Sequence, residues 1–399
     1  MNKNNVAIDY LRAFVVVLVL AHHSALAYVS FAPHAVKAFA SEPHLWAAFP
    51  VVDSQHWRGL DLLVVFNDTY FMALMFLLSG LFVWHSLMRK GSAQYLADRS
   101  LRLGVPFVVA VALLNPLAYY PAYVLSGADP ALGAYARECL TLGYWSHGPS
   151  WFIAVLLALD ILIALLHKIY PRWFDTLGKL SAHTDLRPAR YIFGLIGISI
   201  VTYAIGYFTF GPNPNRWLSF GPFTIQASRI LLYPTYFLAG VGLGIGGVDR
   251  GLLARDGKLS RRWPMWLAAA ILSFVAFLIF SLKLMSAGAA GSLALRGMYD
   301  AAFALCCGAS CFFMLAIFVR FVNRRLRLAD SVSANAYGMY LLHYIFVIWT
   351  QYALLGTNLP ALVKFLIVLM TTLVLSWGTT AAFRRGVTWP RSGQLTSKT

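Results

Sequence analysis

About ten stretches of roughly twenty apolar residues follow one another along this chain, joined by short polar links, and a segment of that length and character spans a bilayer as a helix. Hydrocarbon offers no water to a backbone N–H or C=O, so helices that satisfy those groups internally are the available solution. The stretches fall at 7–30, 60–87, 100–124, 149–169, 190–210, 227–247, 264–284, 298–319, 335–355 and 361–382. Composition agrees: 59% of the 399 residues are hydrophobic and 12% charged, about half the charged share of a soluble domain. The expectation is an all-α, polytopic transmembrane helical bundle, a single membrane-embedded domain over 1–383 with a short polar tail at 384–399.

Charge sets the expected orientation. With a cytoplasmic N-terminus, only Lys37, Arg58, Arg137, Arg216, Arg229, Lys283, Arg296 and Lys364 fall on the outer side. The other Lys and Arg, from Lys3 to Lys398 and including Arg187 and Arg391, gather inside, a bias of about three to one. Both termini are therefore expected in the cytoplasm. The net charge of +17 is read as attraction to anionic headgroups rather than to nucleic acid, because no basic water-facing domain presents a binding surface. Cys139, Cys306, Cys307 and Cys311 form no C-x-x-C pair, so neither a disulfide framework nor a metal site is expected. Ala25-Leu26-Ala27 formally resembles a cleavage site, yet two histidines interrupt the apolar run and one lysine precedes it, so the first span is expected to be retained. The link at 31–59, rich in His, Trp and Pro, is a candidate interfacial helix.

Ionisable groups inside a bilayer are costly and point to function. The first span carries Asp9, Arg12, His22 and His23. Arg12 and His23 are eleven residues apart, about three turns, which puts them on one face about 16 Å apart. Asp9, three before Arg12, can pair with it. A neutral imidazole at mid-depth is a candidate general base; packing against a neighbouring helix is the other reading. Asp68 in the second span reaches the depth of His23, where it could orient the imidazole or hydrogen-bond locally to Asn67, Thr69 or a tyrosine. Arg99 and Arg102, three apart, form a candidate fork for phosphates, or simply belong to the inner positive charge. Trp151 opens the fourth span, as a belt residue or facing substrate. Tyr340 and His343 share a face of the ninth, while Asp160 and Asp300 have no assigned partner. Gly242 to Gly247 fits G-x-G-x-x-G without a preceding strand, so close helix packing is expected there rather than a dinucleotide.

Together these residues resemble acyltransferase family three, the integral membrane O-acyltransferases. Arg12 and His23 match its Arg, ten residues, His pattern, with Asp9 three before. Met75 to Gly80 is similar to its Phe-Leu-Ser-Gly signature, Arg99 with Arg102 to its R-x-x-R, Trp151-Phe152 to its Trp-Phe-Leu with Ile153 departing, and Tyr340 to His343 to its Tyr-Leu-Leu-His. Around Leu81 to Trp84 and Arg99 to Pro106 the chain is similar to members grouped with periplasmic glucan succinyltransferases.

The resemblance implies a ten-span core in a bacterial cytoplasmic membrane and a stand-alone enzyme, since the fused hydrolase-like domain of some members is not read here. It implies an acyl-CoA donor, acetyl-CoA or succinyl-CoA, and a carbohydrate or glycan acceptor outside. His23 would be catalytic with Asp68 orienting it; Arg12, Arg99 and Arg102 would bind the coenzyme; Trp151, Tyr340 and His343 would contact substrate. A transporter exporting a saccharide or lipid-linked precursor is the alternative, though no repeat is detected.

Overall fold

The computed structural model describes residues 6–386 apart from 34–38, 43, 144, 146, 183, 185–187, 211–215 and 222. Of the charges counted above, Lys3, Lys37, Arg187, Arg391 and Lys398 lie outside the described residues, as does the tail beyond 386. Fifteen helices are described. They are α1 (Val6–Ala25), α2 (Arg58–Gly80), α3 (Val83–Arg99), α4 (Val105–Val109), α5 (Asn115–Leu125), α6 (Leu132–Thr141), α7 (Trp151–Ile169) and α8 (Arg172–Ala182). There follow α9 (Pro188–Phe210), α10 (Leu232–Gly246), α11 (Lys258–Arg261), α12 (Trp263–Ala287), α13 (Leu293–Phe321), α14 (Arg327–Ala353) and α15 (Ala361–Gly386). One antiparallel hairpin, β1 (Trp217–Phe220) with β2 (Phe223–Gln226), turns at Gly221 between α9 and α10.

Among the described residues nine helical runs are long and apolar enough to cross a membrane, the run from Val83 to Leu125 counting as one. The expected ninth stretch is α14, whose 27 residues reach about 40 Å. Arg327, Asp330, Asn335, His343 and Gln351 make it more polar than the rest, and it is packed against α1, α5 and α15. The bundle is all-α, as its hydropathy pattern requires. The link expected as an interfacial helix shows, in its described part, a single 3-10 turn at Leu45–Ala47, packed through Trp46 stacked on Phe39.

Two apolar clusters fill the interior. The larger runs from Ala7 to Leu20 on α1 and ends at Tyr340 on α14; the smaller begins at Ala25 and resumes at Tyr344. His22, His23 and His343 lie at the seam between them. A buried ion pair, Lys364 Nζ to Asp53 Oδ2 at 2.7 Å, fastens the link before α2 to α15 beside the smaller cluster.

Close approach of α2 and α10 depends on glycine. A Cβ on Gly240 would collide with the Leu77 carbonyl, on Gly80 with that of Phe237, and on Gly244 with that of Leu81. Small residues at such contacts let backbones pack directly, the role expected for Gly80 and for the Gly242–Gly247 run.

Proline shapes the run from α3 to α5. Two π turns, Ser100–Gly104 and Ala110–Leu114, immediately precede α4 and α5, which carry Pro106 and Pro116 in their first turns. Proline lacks an N–H and its ring crowds the carbonyl four residues back; the wider π turn relieves that crowding. Pro106 cannot donate to the Arg102 carbonyl, and Tyr337 Oη donates to it instead at 2.7 Å. Pro121 likewise leaves the Leu117 carbonyl without its helical donor, and Trp349 Nε1 donates to it at 2.9 Å. Both replacement donors come from α14. An unsatisfied carbonyl in an apolar setting costs about 1–3 kcal/mol, so Trp349→Phe should destabilise the detergent-solubilised protein. In a Pro121→Ala background, which restores the helical N–H, the same change should cost about half as much or less; unfolding of the four proteins of this cycle measures the difference.

Candidate functional site

α1 and α14 build the polar seam. Each ring hydrogen-bonds to a carbonyl of its own helix: His23 Nδ1 to Val19 O at 2.9 Å and His343 Nδ1 to Tyr340 O at 2.6 Å. A carbonyl oxygen only accepts, so the network assigns a proton to both Nδ1 atoms and leaves His23 Nε2 with its lone pair. His343 Nε2 lies 3.2 Å from His23 Nδ1. Tyr344 meets the His23 ring edge-on at 5.3 Å, and His22 meets it at 5.4 Å while stacking on Phe71. Gln351 Nε2 donates to the carbonyls of His23 (3.0 Å) and Ser24 (3.3 Å), satisfying acceptors that the end of α1 leaves open. His23 keeps accessible surface; His343 has none and Tyr340 is buried.

Asp68 is placed differently from the expectation. Its carboxylate is gripped by Arg229, with Nη1 to Oδ1 at 3.0 Å and Nη2 against Oδ2. Among the described residues no hydrogen bond joins it to His23. The physical reason is the strength of a bidentate guanidinium–carboxylate pair in a low-dielectric interior, which an imidazole cannot match. Arg229 also donates to Tyr233 Oη at 3.1 Å and lies 5.0 Å over the Phe303 ring. Arg229 is 4% exposed, whereas the Asp68 side chain keeps 41% of its surface accessible. The pair therefore holds a carboxylate in place while leaving part of it accessible. Trp151 stacks on Tyr233 at 5.6 Å and meets Trp217 of the hairpin edge-on at 5.5 Å.

The arginines gather at the opposite end of α1. Arg99 Nε lies 3.3 Å from Asp160 Oδ2, and Tyr95 Oη donates to Asp160 Oδ1 at 2.5 Å. This gives Asp160, buried in α7, its partners. Arg12 is exposed, 5.5 Å over the Phe82 ring, and interacts through space with both Asp9 and Arg99. Asp9, expected to pair with Arg12, comes within 3.8 Å of Arg325. Arg102 is exposed, and the π turn that follows Arg99 departs from the α-helical spacing behind the expected fork. Arg12 on α1 and Arg99 on α3 thus bring two guanidiniums into each other's field, one of them already paired with a carboxylate.

Tyr340 and His343 stand behind His23 rather than on an open surface. Tyr340 Oη donates to the Pro149 carbonyl, tying α14 to the turn that starts α7. In the same turn Asn115 Nδ2 donates to His147 O at 2.8 Å and to Ser150 Oγ at 3.1 Å. Sequence reading assigned no role to Arg229, Tyr233, Tyr344 or Gln351. Arg229 counted there only as a charge on the sparse face, and its place beside Asp68 depends on a contact 161 residues apart.

Breaking one partner of such a pair strands the other's charge. Arg229→Met should destabilise the protein, by less than the ~3–5 kcal/mol of a fully buried pair because the Asp68 side chain keeps accessible surface, and the double variant Asp68→Asn with Arg229→Met should recover much of that loss. Chemical unfolding in detergent compares them; equal losses would show that the charge is not the cause.

A family model described as an acyltransferase domain matches residues 5–381. Curated relatives named "Glucans biosynthesis protein C" from Escherichia coli O81 (strain ED1a), O139:H28 (strain E24377A / ETEC) and O157:H7 are each 26% identical over 278 residues, 68% of this chain. The match spans 65% of the length of each of those relatives. No solved structure matches the chain. With nearly its whole length matched, across the helices that carry Arg12, His23, Arg99 and His343, the chain belongs to the acyltransferase 3 family of membrane proteins.

Proposed function

We propose that this protein is a membrane O-acyltransferase that moves a short acyl group, acetyl or succinyl, from acyl-CoA to a hydroxyl of a carbohydrate acceptor. The observation that carries the reading is the accessible His23 ring, its Nδ1 tied to Val19 O so that Nε2 is free to take a proton, on the same helix as Arg12. Arg12, Arg99 and Arg102 hold the coenzyme's phosphates, and the thioester reaches along α1 over about 16 Å. His23 Nε2 removes the acceptor proton as the hydroxyl oxygen attacks the thioester carbonyl. The carbon–sulfur bond breaks, and the proton passes from Nε2 to the departing sulfur. Asp68, its position fixed by Arg229, accepts hydrogen bonds from acceptor hydroxyls, and Trp151 offers a ring face beside it. The name of the relatives supports a glucan as the acceptor. The residues that gather Lys and Arg support a cytoplasmic donor side and cytoplasmic termini, in a bacterial cytoplasmic membrane.

Purified protein incubated with acetyl-CoA or succinyl-CoA should release free thiol when a glucan acceptor is added. His23→Ala should lower that rate by about 10²–10⁴-fold with acyl-CoA affinity retained. Near-normal transfer by this variant would remove the imidazole from the chemistry. Thiol release absent with both donors, alongside saccharide flux in proteoliposomes, would favour a transporter. Arg12→Gln and Arg102→Gln should each raise KM for acyl-CoA. Neither strands a buried carboxylate, as Arg99→Gln would strand Asp160; unchanged KM in both would return these arginines to topology.

A further inference from the structure

We propose that His343 is a positioning residue for His23, acting as a neutral acceptor where a base more commonly leans on a carboxylate. This rests on the reading of His23 as the base. Carbonyl oxygens hold the Nδ1 protons of both rings, so the His343 Nε2 that faces His23 Nδ1 at 3.2 Å presents a lone pair to an N–H. The chain of donors runs in one direction. His343 Nδ1–H donates to Tyr340 O, His23 Nδ1–H is shared between Val19 O and His343 Nε2, and His23 Nε2 stays open to a substrate hydroxyl.

When His23 takes the acceptor proton, positive charge spreads over its ring, and a lone pair against Nδ1–H stabilises the imidazolium. His343 can do this without contacting substrate, because it has no accessible surface. The groups facing the two rings leave this role to it. Tyr344 and Tyr340 on α14 present aromatic rings, His22 on α1 meets His23 edge-on, and Asp68, the acid expected from the sequence to orient His23, is committed to Arg229. Tyr340, whose carbonyl sets the His343 tautomer, is tied through its hydroxyl to Pro149 O, and Gln351 anchors the carbonyls of His23 and Ser24 at the end of α1.

The test compares His343→Leu with His343→Gln, whose amide oxygen can take the place of Nε2 as an acceptor. His343→Leu should lower kcat by about 10²-fold, within the span a general base commands, while KM for acyl-CoA and for the acceptor stays within about two-fold. His343→Gln should recover at least about ten-fold of that kcat. Acyl-CoA affinity, measured directly, shows that each variant is folded; if His343→Leu fails this check, the kcat and KM of His343→Gln against wild type carry the comparison. Raised KM for either substrate with kcat retained would make His343 a substrate contact and overturn the proposal. So would Gln and Leu variants equally impaired in kcat, or His343→Gln impaired as deeply as His23→Ala. Should His23→Ala itself retain transfer, the reading beneath fails, an outcome that the His343 variants alone do not produce.

Discussion

An interior that cannot hydrate polar groups governs this structure at every scale. It forces the backbone into helices, and where proline removes a donor it demands another from a neighbour. Tyr337 and Trp349 supply those donors from α14 to the carbonyls of Arg102 and Leu117. The same constraint pairs Asp68 with Arg229, Asp160 with Arg99 and Asp53 with Lys364. It also makes the histidine seam informative, because two rings between apolar clusters are held by carbonyls that leave a lone pair on His23 Nε2, the atom proposed as the base. Helix α14 recurs in these accounts. It is the most polar long helix, and it fixes α1, the kinked run from α3 to α5, and the imidazole pair.

The fold was legible because hydropathy has a long period and each span announces itself. The Arg12 and His23 relation was legible for a similar reason: both lie on one helix, and helical geometry needs no knowledge of the neighbours. Partners on different helices were not legible. Asp68 reads as an orienter for His23 when only depth is counted, and the structure gives it to Arg229, which enters from beyond the hairpin. The expected fork of Arg99 and Arg102 assumed α-helical spacing, which the π turn at Ser100–Gly104 replaces. Pro106 in the sequence was the available signal for that irregularity.

The polar groups divide into two sets with different demands. At one end of α1, Arg12, Arg99 and Arg102 concentrate positive charge, suited to phosphates and tolerant of small displacements because charge acts over distance. At the other end, the imidazoles and the Asp68 carboxylate depend on hydrogen-bond geometry, where displacements of an ångström matter. Contacts from Gln351, Tyr340, Tyr344 and the turn at Gly148–Ser150 gather around the seam accordingly.

The π turns also bear on how the chain tolerates changes in length. Each winds an additional residue into a turn, so loss of one residue within Ser100–Gly104 or Ala110–Leu114 can be absorbed by rewinding to ordinary α pitch, leaving the flanking helix faces near their original directions. The α1 helix has no such slack. One residue lost between Arg12 and His23 would turn one relative to the other by about 100°. Length variation in this architecture should therefore gather in the third span and avoid the first.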